Sequence, residues 1–172
     1  MSAPEARGAA SIRPAREADW AAIEALLRES KLPTVGAREH LGDFFVAEGD
    51  GLVVGVIGLE RYVDGALLRS AAVHATSRGR GVGDALVRAL LAHARALGVG
   101  PLFLLTETAE GWFPRFGFVR VTRDDVPAGV KASVEFAGAC PASAAVFRRE
   151  LDASAAPLAS GPAGQTEQSV DA

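Results

Sequence analysis

The chain has 172 residues, of which 49% are hydrophobic and 23% are charged, and this is enough for one domain with a single sizeable core. Its formal net charge of −3 argues against nucleic acid as the main partner, because duplex binders normally present a broad basic face. Cys140 is the only cysteine, which excludes an intrachain disulfide and a zinc site built on several thiolates.

Strand and helix patterns alternate along most of the chain. Residues 1–10 are small and polar and predict a flexible arm, whereas the Ala, Ser, Pro and Gly content of residues 152–172 predicts a disordered tail. Between them, the domain is expected to span residues 11–151. Apolar residues at i, i+3, i+6 and i+7 from Trp20 predict an amphipathic helix. The turn at 48–51, between two apolar runs, predicts a β-hairpin.

The order of the elements predicts an α/β fold with a mixed central sheet and flanking helices. The predicted strands are 11–15, 44–47, 52–62, 66–74, 101–107, 118–122 and 143–151. The predicted helices are 17–30, a short piece at 37–41, 82–97 and 109–116, and the segment 126–139 is irregular or helical. Three antiparallel strands followed by a helix and a parallel strand give such a sheet.

The segment Arg78-Gly79-Arg80-Gly81-Val82-Gly83, here called the glycine loop, joins an apolar strand to the start of a helix. The first amides of a helix have no intrahelical acceptors, and the helix dipole adds partial positive charge at this end. Glycines let the main chain approach phosphate oxygens, and the two arginines add cationic donors. The loop therefore predicts a diphosphate site.

Two other phosphate motifs do not fit the glycine loop. A P-loop needs a lysine that is absent here, and the dinucleotide fingerprint needs a third small residue where this chain has Asp84 or Leu86. The pattern Arg-x-x-Gly-x-Gly at a strand-to-helix junction resembles the GNAT acetyltransferases. This resemblance implies the GNAT fold, with acetyl-CoA as co-substrate and no metal. The cofactor residues it implies are Ala72, Val73, Arg78, Gly79, Arg80, Gly81, Val82 and Gly83. An acid is unfavourable near phosphates, so we expect Asp84 to point away as a helix cap.

A second resemblance concerns the acceptor. Residues 106–118 resemble the pattern Thr-x-Thr-Ala-x-x-Trp-Phe-x-Arg-x-Gly-Phe of GNAT enzymes that acetylate amino-acid α-amines, among them N-acetylglutamate synthase domains. Segments 67–73, 133–136 and 140–144 resemble the small N-acetyltransferases of bacterial arsenic-resistance operons. These likenesses imply acetylation of a small amino-acid-like amine, in arsenic resistance or detoxification. The late Tyr-x-x-Gln-Arg-x-Ser-Lys signature of glutamate synthases is missing, which argues against arginine biosynthesis.

Amine acetylation needs a base, a donor to the developing oxyanion and a proton for the thiolate. The resemblance implies that main-chain N–H groups near Ala72 and Val73 polarise the carbonyl. Relatives often carry a glutamate where this chain has Leu67, so the base stays open. The candidates are Glu107 at a strand end, His74 beside the glycine loop, Glu60 on a strand, where a solvated charge is expected, and a water chain. No tyrosine lies in 109–116, so solvent is expected to protonate the thiolate.

Arg69 is the first candidate for the substrate carboxylate. An arginine in an apolar strand must find a partner or face a cleft, and its guanidinium binds carboxylates in bidentate fashion. Arg115 and Arg61 are the next candidates for this role, and Ser70 would add a hydroxyl. Cys140 is either a small buried hydrophobe or a thiolate ligand for trivalent arsenic.

Two other functions stay open at this stage. One is a generic amino-acid or polyamine acetyltransferase, and the other is a non-catalytic module that binds acyl-CoA. No stretch approaches the roughly 18–20 apolar residues of a membrane span, and the first residues lack the charged start and apolar run of a signal peptide. We therefore expect a cytoplasmic protein without nucleic-acid or membrane partners, and the resemblance implies a homodimer.

Overall fold

A single seven-stranded sheet organises the computed structural model, which describes residues 9–151. Its strands are β1 (Ser11–Pro14), β2 (Phe44–Gly49), β3 (Leu52–Tyr62), β4 (Gly65–Val73), β5 (Pro101–Thr106), β6 (Val119–Val121) and β7 (Ala145–Glu150). They lie in the order β1-β2-β3-β4-β5-β7-β6. The predicted tail and all of the predicted arm except residues 9 and 10 fall outside the described residues.

Two helices cover opposite faces of the sheet. They are α1 (Trp20–Glu29) and α2 (Val82–Ala96), and a short α3 (Ala128–Lys131) follows later in the chain. Neighbouring strand residues point to opposite faces: Val56 packs in the cluster that holds α1, whereas Ile57 packs in the cluster that holds α2. Each face is therefore closed by an apolar layer, and the ends of the strands remain available for a site.

The sheet opens between β4 and β5. These strands are parallel, and their pairing is confined to Ala66 with Leu102 and Leu67 with Phe103. On its other side β4 is antiparallel to β3, and the register shifts between Val56 and Gly58. The extra residue in β4 forms a bulge, and bulges bend a strand and re-aim its side chains. Beyond the paired residues, β4 and β5 leave a cleft between them.

The predicted mixed sheet and the β2–β3 hairpin are confirmed. The predicted helix 109–116 is wrong in extent, because only a 3₁₀ turn forms at Phe113–Phe116. Gly111 weakens a helix and Pro114 removes one amide donor from it. The insertion of β7 between β5 and β6 was not predicted. Across residues 9–151, no helix has the length and hydropathy needed to cross a membrane.

Candidate active site

The glycine loop adopts the conformation that its glycines allow. Gly79 and Gly81 have φ angles of 77° and 80°, a left-handed region that costs other residues roughly 1–2 kcal/mol. No atom lies within 4 Å of the position a Cβ would take at either glycine. The first bond of α2 runs from the Ala85 amide to the Gly81 carbonyl at 3.0 Å. The preceding amides, at residues 82–84, point out of the helix end.

A cavity of about 720 Å³, here called the loop cavity, lies against this helix end. Its volume falls in the range of small-molecule sites. Most of the predicted cofactor residues line it, namely Ala72, Val73, Arg78, Gly79, Gly81, Val82 and Gly83. Arg80 is not among the residues that line it, and its role at the cofactor stays a prediction. Arg78 Nε donates a hydrogen bond of 3.1 Å to the Val73 carbonyl, which ties the loop to the end of β4.

Trp112 forms a wall of the loop cavity directly against α2. A Cβ at Gly83 would lie 3.1 Å from a ring carbon of Trp112, so a side chain at residue 83 would crowd the indole in its present position. The indole also contacts Phe113 and Phe116 edge-on, with ring centroids 4.9 Å apart in both pairs. Gly83 thus contributes space for this wall as well as a main-chain donor.

Asp84 and Arg115 both line the loop cavity. Neither lies where the sequence predicted it. Asp84 lines the cavity instead of pointing away from it. Its carboxylate forms an ion pair of 3.3 Å with Arg115, which offsets the negative charge near the diphosphate site. Arg115 therefore lies on the cofactor side, and the structure does not place it in the second cavity, where its predicted substrate role would require it.

A second cavity of about 730 Å³, here called the strand cavity, fills the opening between β4 and β5. The residues that line both cavities are Ser30, Leu32, Ala71, Thr108, Ala109 and Trp112. Because they share these walls, the two cavities meet beside the middle of β4. A molecule that extends along the loop cavity would reach the strand cavity at that point.

Arg69 and Glu60 form a buried ion pair beneath the strand cavity. Arg69 Nη1 lies 2.7 Å from Glu60 Oε1, and the side chains are 0% and 1% exposed. Arg69 also donates from Nε to Ser70 Oγ at 3.0 Å and from Nη2 to the Pro33 carbonyl at 3.1 Å. Tyr62 donates to the second Glu60 oxygen at 2.5 Å. The expected solvated charge at Glu60 is therefore wrong.

This pairing bears on two predicted roles. The Glu60 carboxylate is held by Arg69 and Tyr62, so it is not free to take a proton from an amine. All three nitrogens of Arg69 already have protein acceptors. A bidentate grip by Arg69 on a substrate carboxylate would require this cluster to open. Ser70, the bulge residue with a φ of 60°, lies in the wall of the strand cavity.

The other two candidates for the general base, Glu107 and His74, differ in whether they line a cavity. Glu107 is exposed at the end of β5 and lines the strand cavity. His74 lines neither cavity. Its Nδ1 lies 2.9 Å from Thr76 Oγ1, and its Nε2 lies 4.0 Å from Glu29. The structure thus brings Glu107, Arg69 and Ser70 together and leaves His74 at the rim.

Sequence reasoning missed the role of three residues of the strand cavity. They are Lys31, Glu135 and Cys140. Burial raises the pKa of the Glu135 carboxyl to about 7, and burial beside Glu135 raises the pKa of the Cys140 thiol to about 12. The available signal for Glu135 was an acid between Val134 and Phe136 in an otherwise apolar run. Cys140 is a neutral thiol at pH 7, not the thiolate that an arsenic ligand would be.

The part of the chain that the structure describes brings no three His, Cys, Asp or Glu residues together as metal ligands. Charge at the site is instead carried by arginines, carboxylates and the helix end. The site thus combines the predicted diphosphate site with a partly buried cavity that contains ionisable groups.

Comparison with known proteins agrees with this geometry. Residues 40–120 match the family model of the acetyltransferase (GNAT) domain. An amino-acid acetyltransferase of Ralstonia nicotianae is 37% identical over 89 residues, which are 51% of this chain and 20% of that protein.

Two solved structures share the fold. N-acetylglutamate synthase of Neisseria gonorrhoeae, complexed with coenzyme A and N-acetyl-glutamate, superposes with a TM-score of 0.72 at 26% identity. The match covers 84% of this chain and 36% of that one. A Mycobacterium tuberculosis protein in complex with CoA and NLQ gives a TM-score of 0.69 at 27% identity, over 82% of this chain and 99% of that one.

The sheet, the glycine loop and the joined cavities match an acetyltransferase domain, and the two solved neighbours are complexes with coenzyme A. The match over residues 40–120 and the shared fold are those of a GNAT acetyltransferase domain, as the glycine loop predicted. It spans about a fifth of the curated amino-acid acetyltransferase it matches.

Proposed function

We propose that this chain transfers the acetyl group of acetyl-CoA to the amine of a small amino-acid-like substrate. The observation that carries the proposal is the meeting of two cavities beside Ala71. One cavity ends on the glycine loop and the other contains ionisable groups. A thioester whose diphosphate lies on the loop would place its acetyl group where an amine enters from the strand cavity.

The cofactor end follows from the main chain. The diphosphate accepts hydrogen bonds from the amides of the glycine loop and the start of α2. The pantetheine runs along β4 past Val73 and Ala72, as an added strand would. An amide of this part of β4 donates to the thioester oxygen and stabilises the negative charge that develops on it.

Opposite charges at the strand cavity support an amino-acid-like acceptor. Lys31 and Glu107 are both exposed and both line this cavity, so they offer one cation for a carboxylate and one anion for an ammonium group. Ser70 adds a hydroxyl donor, held in place by Arg69. The relatives include amino-acid acetyltransferases, and one solved neighbour holds N-acetyl-glutamate.

A cationic amine without a carboxylate is a second candidate. It is favoured by the two carboxyl groups that line the strand cavity, Glu107 and Glu135. A role in resistance to arsenic- or phosphorus-containing amino-acid analogues rests on the sequence resemblance described above. The cytoplasmic location stays a prediction from the sequence, and the homodimer stays a prediction from the resemblance.

The experiment is a CoA-release assay with acetyl-CoA and a panel of amines. The panel contains glutamate, glutamine, phosphinothricin, an arsenic-containing analogue of it, and spermidine. We expect release with at least one amino-acid-like amine. Release with spermidine alone would select the cationic-amine function. Binding of acetyl-CoA without release for any amine would contradict acetyl transfer and favour a CoA-binding module.

A matched pair of glycine variants ties this activity to the loop. Gly81→Ala adds a methyl group in open space, where only the left-handed φ of 80° opposes it. We expect the KM for acetyl-CoA to rise about tenfold, which corresponds to about 1.4 kcal/mol. Gly42→Ala adds the same group in open space at an exposed turn without a left-handed φ, and we expect wild-type kinetics. Equal kinetics for both variants would contradict the role of the loop.

A further inference from the structure

Glu135 is a buried carboxyl group in the wall of the strand cavity. It is 5% exposed and begins the turn Glu135–Ala139 between α3 and β7. Main-chain bonds fix this turn: the Ala137 amide donates to the Ser133 carbonyl at 2.8 Å, and the Cys140 amide donates to the Glu135 carbonyl at 3.1 Å. The turn therefore holds the carboxyl group at a defined place in the cavity.

The Glu135 carboxyl group has no ion-pair partner among residues 9–151. Arg69 is the cation that acts on it, but the guanidinium is bound to Glu60 at 2.7 Å. Cys140, on the same segment, lines the same cavity. A buried carboxyl group without a cation of its own is expected to have another use, because an unpaired buried charge is costly.

Charged and titratable groups from several elements face Glu135. They are Glu60 and Tyr62 on β3, Arg69 on β4, Lys31 after α1, Glu107 after β5, and Cys140 on the same segment. Burial raises the pKa of Glu135 to about 7; Arg69 and Cys140 oppose this change and Glu60 adds to it. A proton acceptor works best when its pKa is close to the working pH.

The other acids of the site are less suited to this task. Glu60 is 1% exposed and is bound by Arg69 and Tyr62. Glu107 is open to solvent at the mouth of the cavity, where it meets a substrate before the substrate is enclosed. Glu135 is the acid that is both inside the cavity and free of a guanidinium.

We propose that Glu135 is the general base that takes the proton from the substrate ammonium group, an assignment that rests on the acetyltransferase function proposed above. The ammonium group loses one proton to the Glu135 carboxylate. The nitrogen lone pair then attacks the thioester carbon, so a C–N bond forms and the C–S bond breaks. The second proton leaving the nitrogen goes to the CoA thiolate, and Glu135 returns its proton to solvent.

The test is the pH profile of kcat/KM for the amine, measured on the full chain. In the wild type we expect a limb that rises with pH and has its midpoint near 7. Glu135→Gln is isosteric and cannot take the proton. We expect it to lower kcat about 100- to 1000-fold, to lose the limb, and to change the KM for acetyl-CoA less than about twofold. Glu110→Gln, an exposed residue outside both cavities, should keep the wild-type profile.

Several results would overturn this assignment. It fails if Glu135→Gln keeps the limb and loses less than about threefold in kcat, or if Glu107→Gln removes the limb instead. A wild type that releases CoA with no amine of the panel contradicts the acetyltransferase function and this role with it. Should Glu135→Gln not fold, ¹³C-detected titration of the wild-type carboxyl groups decides: a midpoint near 7 for Glu135 supports the role, and one near 4 contradicts it.

Discussion

Arg69 on β4 and Glu60 on β3 form an ion pair of 2.7 Å whose side chains are 0% and 1% exposed. The two residues share a face of the sheet because Arg69 pairs with Gly58, two residues before Glu60, in the regular part of the ladder. The bulge that follows Arg69 turns Ser70 out of the ladder, so that Ala72, which pairs with Val56, lies on this face as well. The buried pair thus forms the floor of the strand cavity, which Arg69 lines.

Breaking this pair is expected to destabilise the fold strongly. Arg69→Gln leaves the Glu60 carboxylate buried without its cation, and such changes typically cost about 3–5 kcal/mol. The measurement is the free energy of unfolding in urea. The control is Arg120→Gln, which breaks an exposed pair with Glu110 and should change this free energy by about 0–1 kcal/mol. Equal losses for the two variants would contradict the buried floor.

Asp84 and Arg115 should affect acetyl-CoA in opposite directions. Both line the loop cavity, and their ion pair of 3.3 Å is largely exposed. Asp84→Asn removes a negative charge near the diphosphate and should lower the KM for acetyl-CoA about two- to fivefold. Arg115→Gln should raise it by a similar factor, since exposed charges contribute about 0.5–1 kcal/mol.

Steady-state kinetics at low salt check this prediction. Both effects should shrink as salt is added, because the charges are exposed. The amine KM should stay unchanged in both variants. A rise in the amine KM alone for Arg115→Gln would instead support the substrate role that the sequence predicted for Arg115.

The glycine loop could be predicted from the sequence because its signal is local. A run of glycines and arginines between an apolar strand and a helix specifies the backbone and the ligand chemistry within six residues. The flanking strands were predicted to within one or two residues, since their apolar periodicity is also local. The cofactor end of the site therefore followed from the sequence.

The substrate end could not be predicted in the same way. The side chains that β4 presents beyond Arg69 depend on a bulge, because one added residue moves each later side chain to the other face. Glu135 lies on the segment between α3 and β7, and β7 is inserted between β5 and β6. Its burial depends on contacts across the whole domain, which no local pattern specifies.

The pairing of Asp19 with Arg13 should make the free energy of unfolding depend on pH. Arg13 donates from both Nη atoms to the Asp19 carboxylate at 2.8 and 2.9 Å. These hydrogen bonds lower the pKa of Asp19 to about 2, against the effect of burial. Because the folded pKa lies below the unfolded value of about 3.9, the stabilisation is complete above pH 4–5 and is lost as the pH falls towards 2.

Asp19→Asn tests this dependence. At pH 7 it should lower the free energy of unfolding by about 2 kcal/mol, and this difference from the wild type should be lost as the pH falls through 2. Asp124→Asn, an exposed residue, should change this free energy by less than about 0.5 kcal/mol at either pH. A difference for Asp19→Asn that stays constant between pH 7 and pH 2 would show that the ion pair is not its cause.

Cys140 should tune the proposed base. Burial, Arg69 and Glu60 act most strongly on the pKa of Glu135, and the thiol of Cys140, as a donor, lowers it. Cys140→Ala removes this donor, so the rising limb of the pH profile should move to higher pH. A hydrogen bond contributes about 0.5–1.5 kcal/mol, which predicts a change of about 0.5–1 pH unit. Cys140→Ser keeps a donor and should leave the limb near its wild-type position. A limb unmoved by Cys140→Ala would exclude this contact as a determinant.

The most direct test of the whole account is a crystal structure of the chain with bound CoA. We predict diphosphate oxygens about 2.7–3.2 Å from main-chain nitrogens of the glycine loop, and a sulfur atom beside Ala71, where the two cavities meet. A diphosphate bound away from the α2 end, or a sulfur atom that does not reach the strand cavity, would contradict the proposed acetyl transfer.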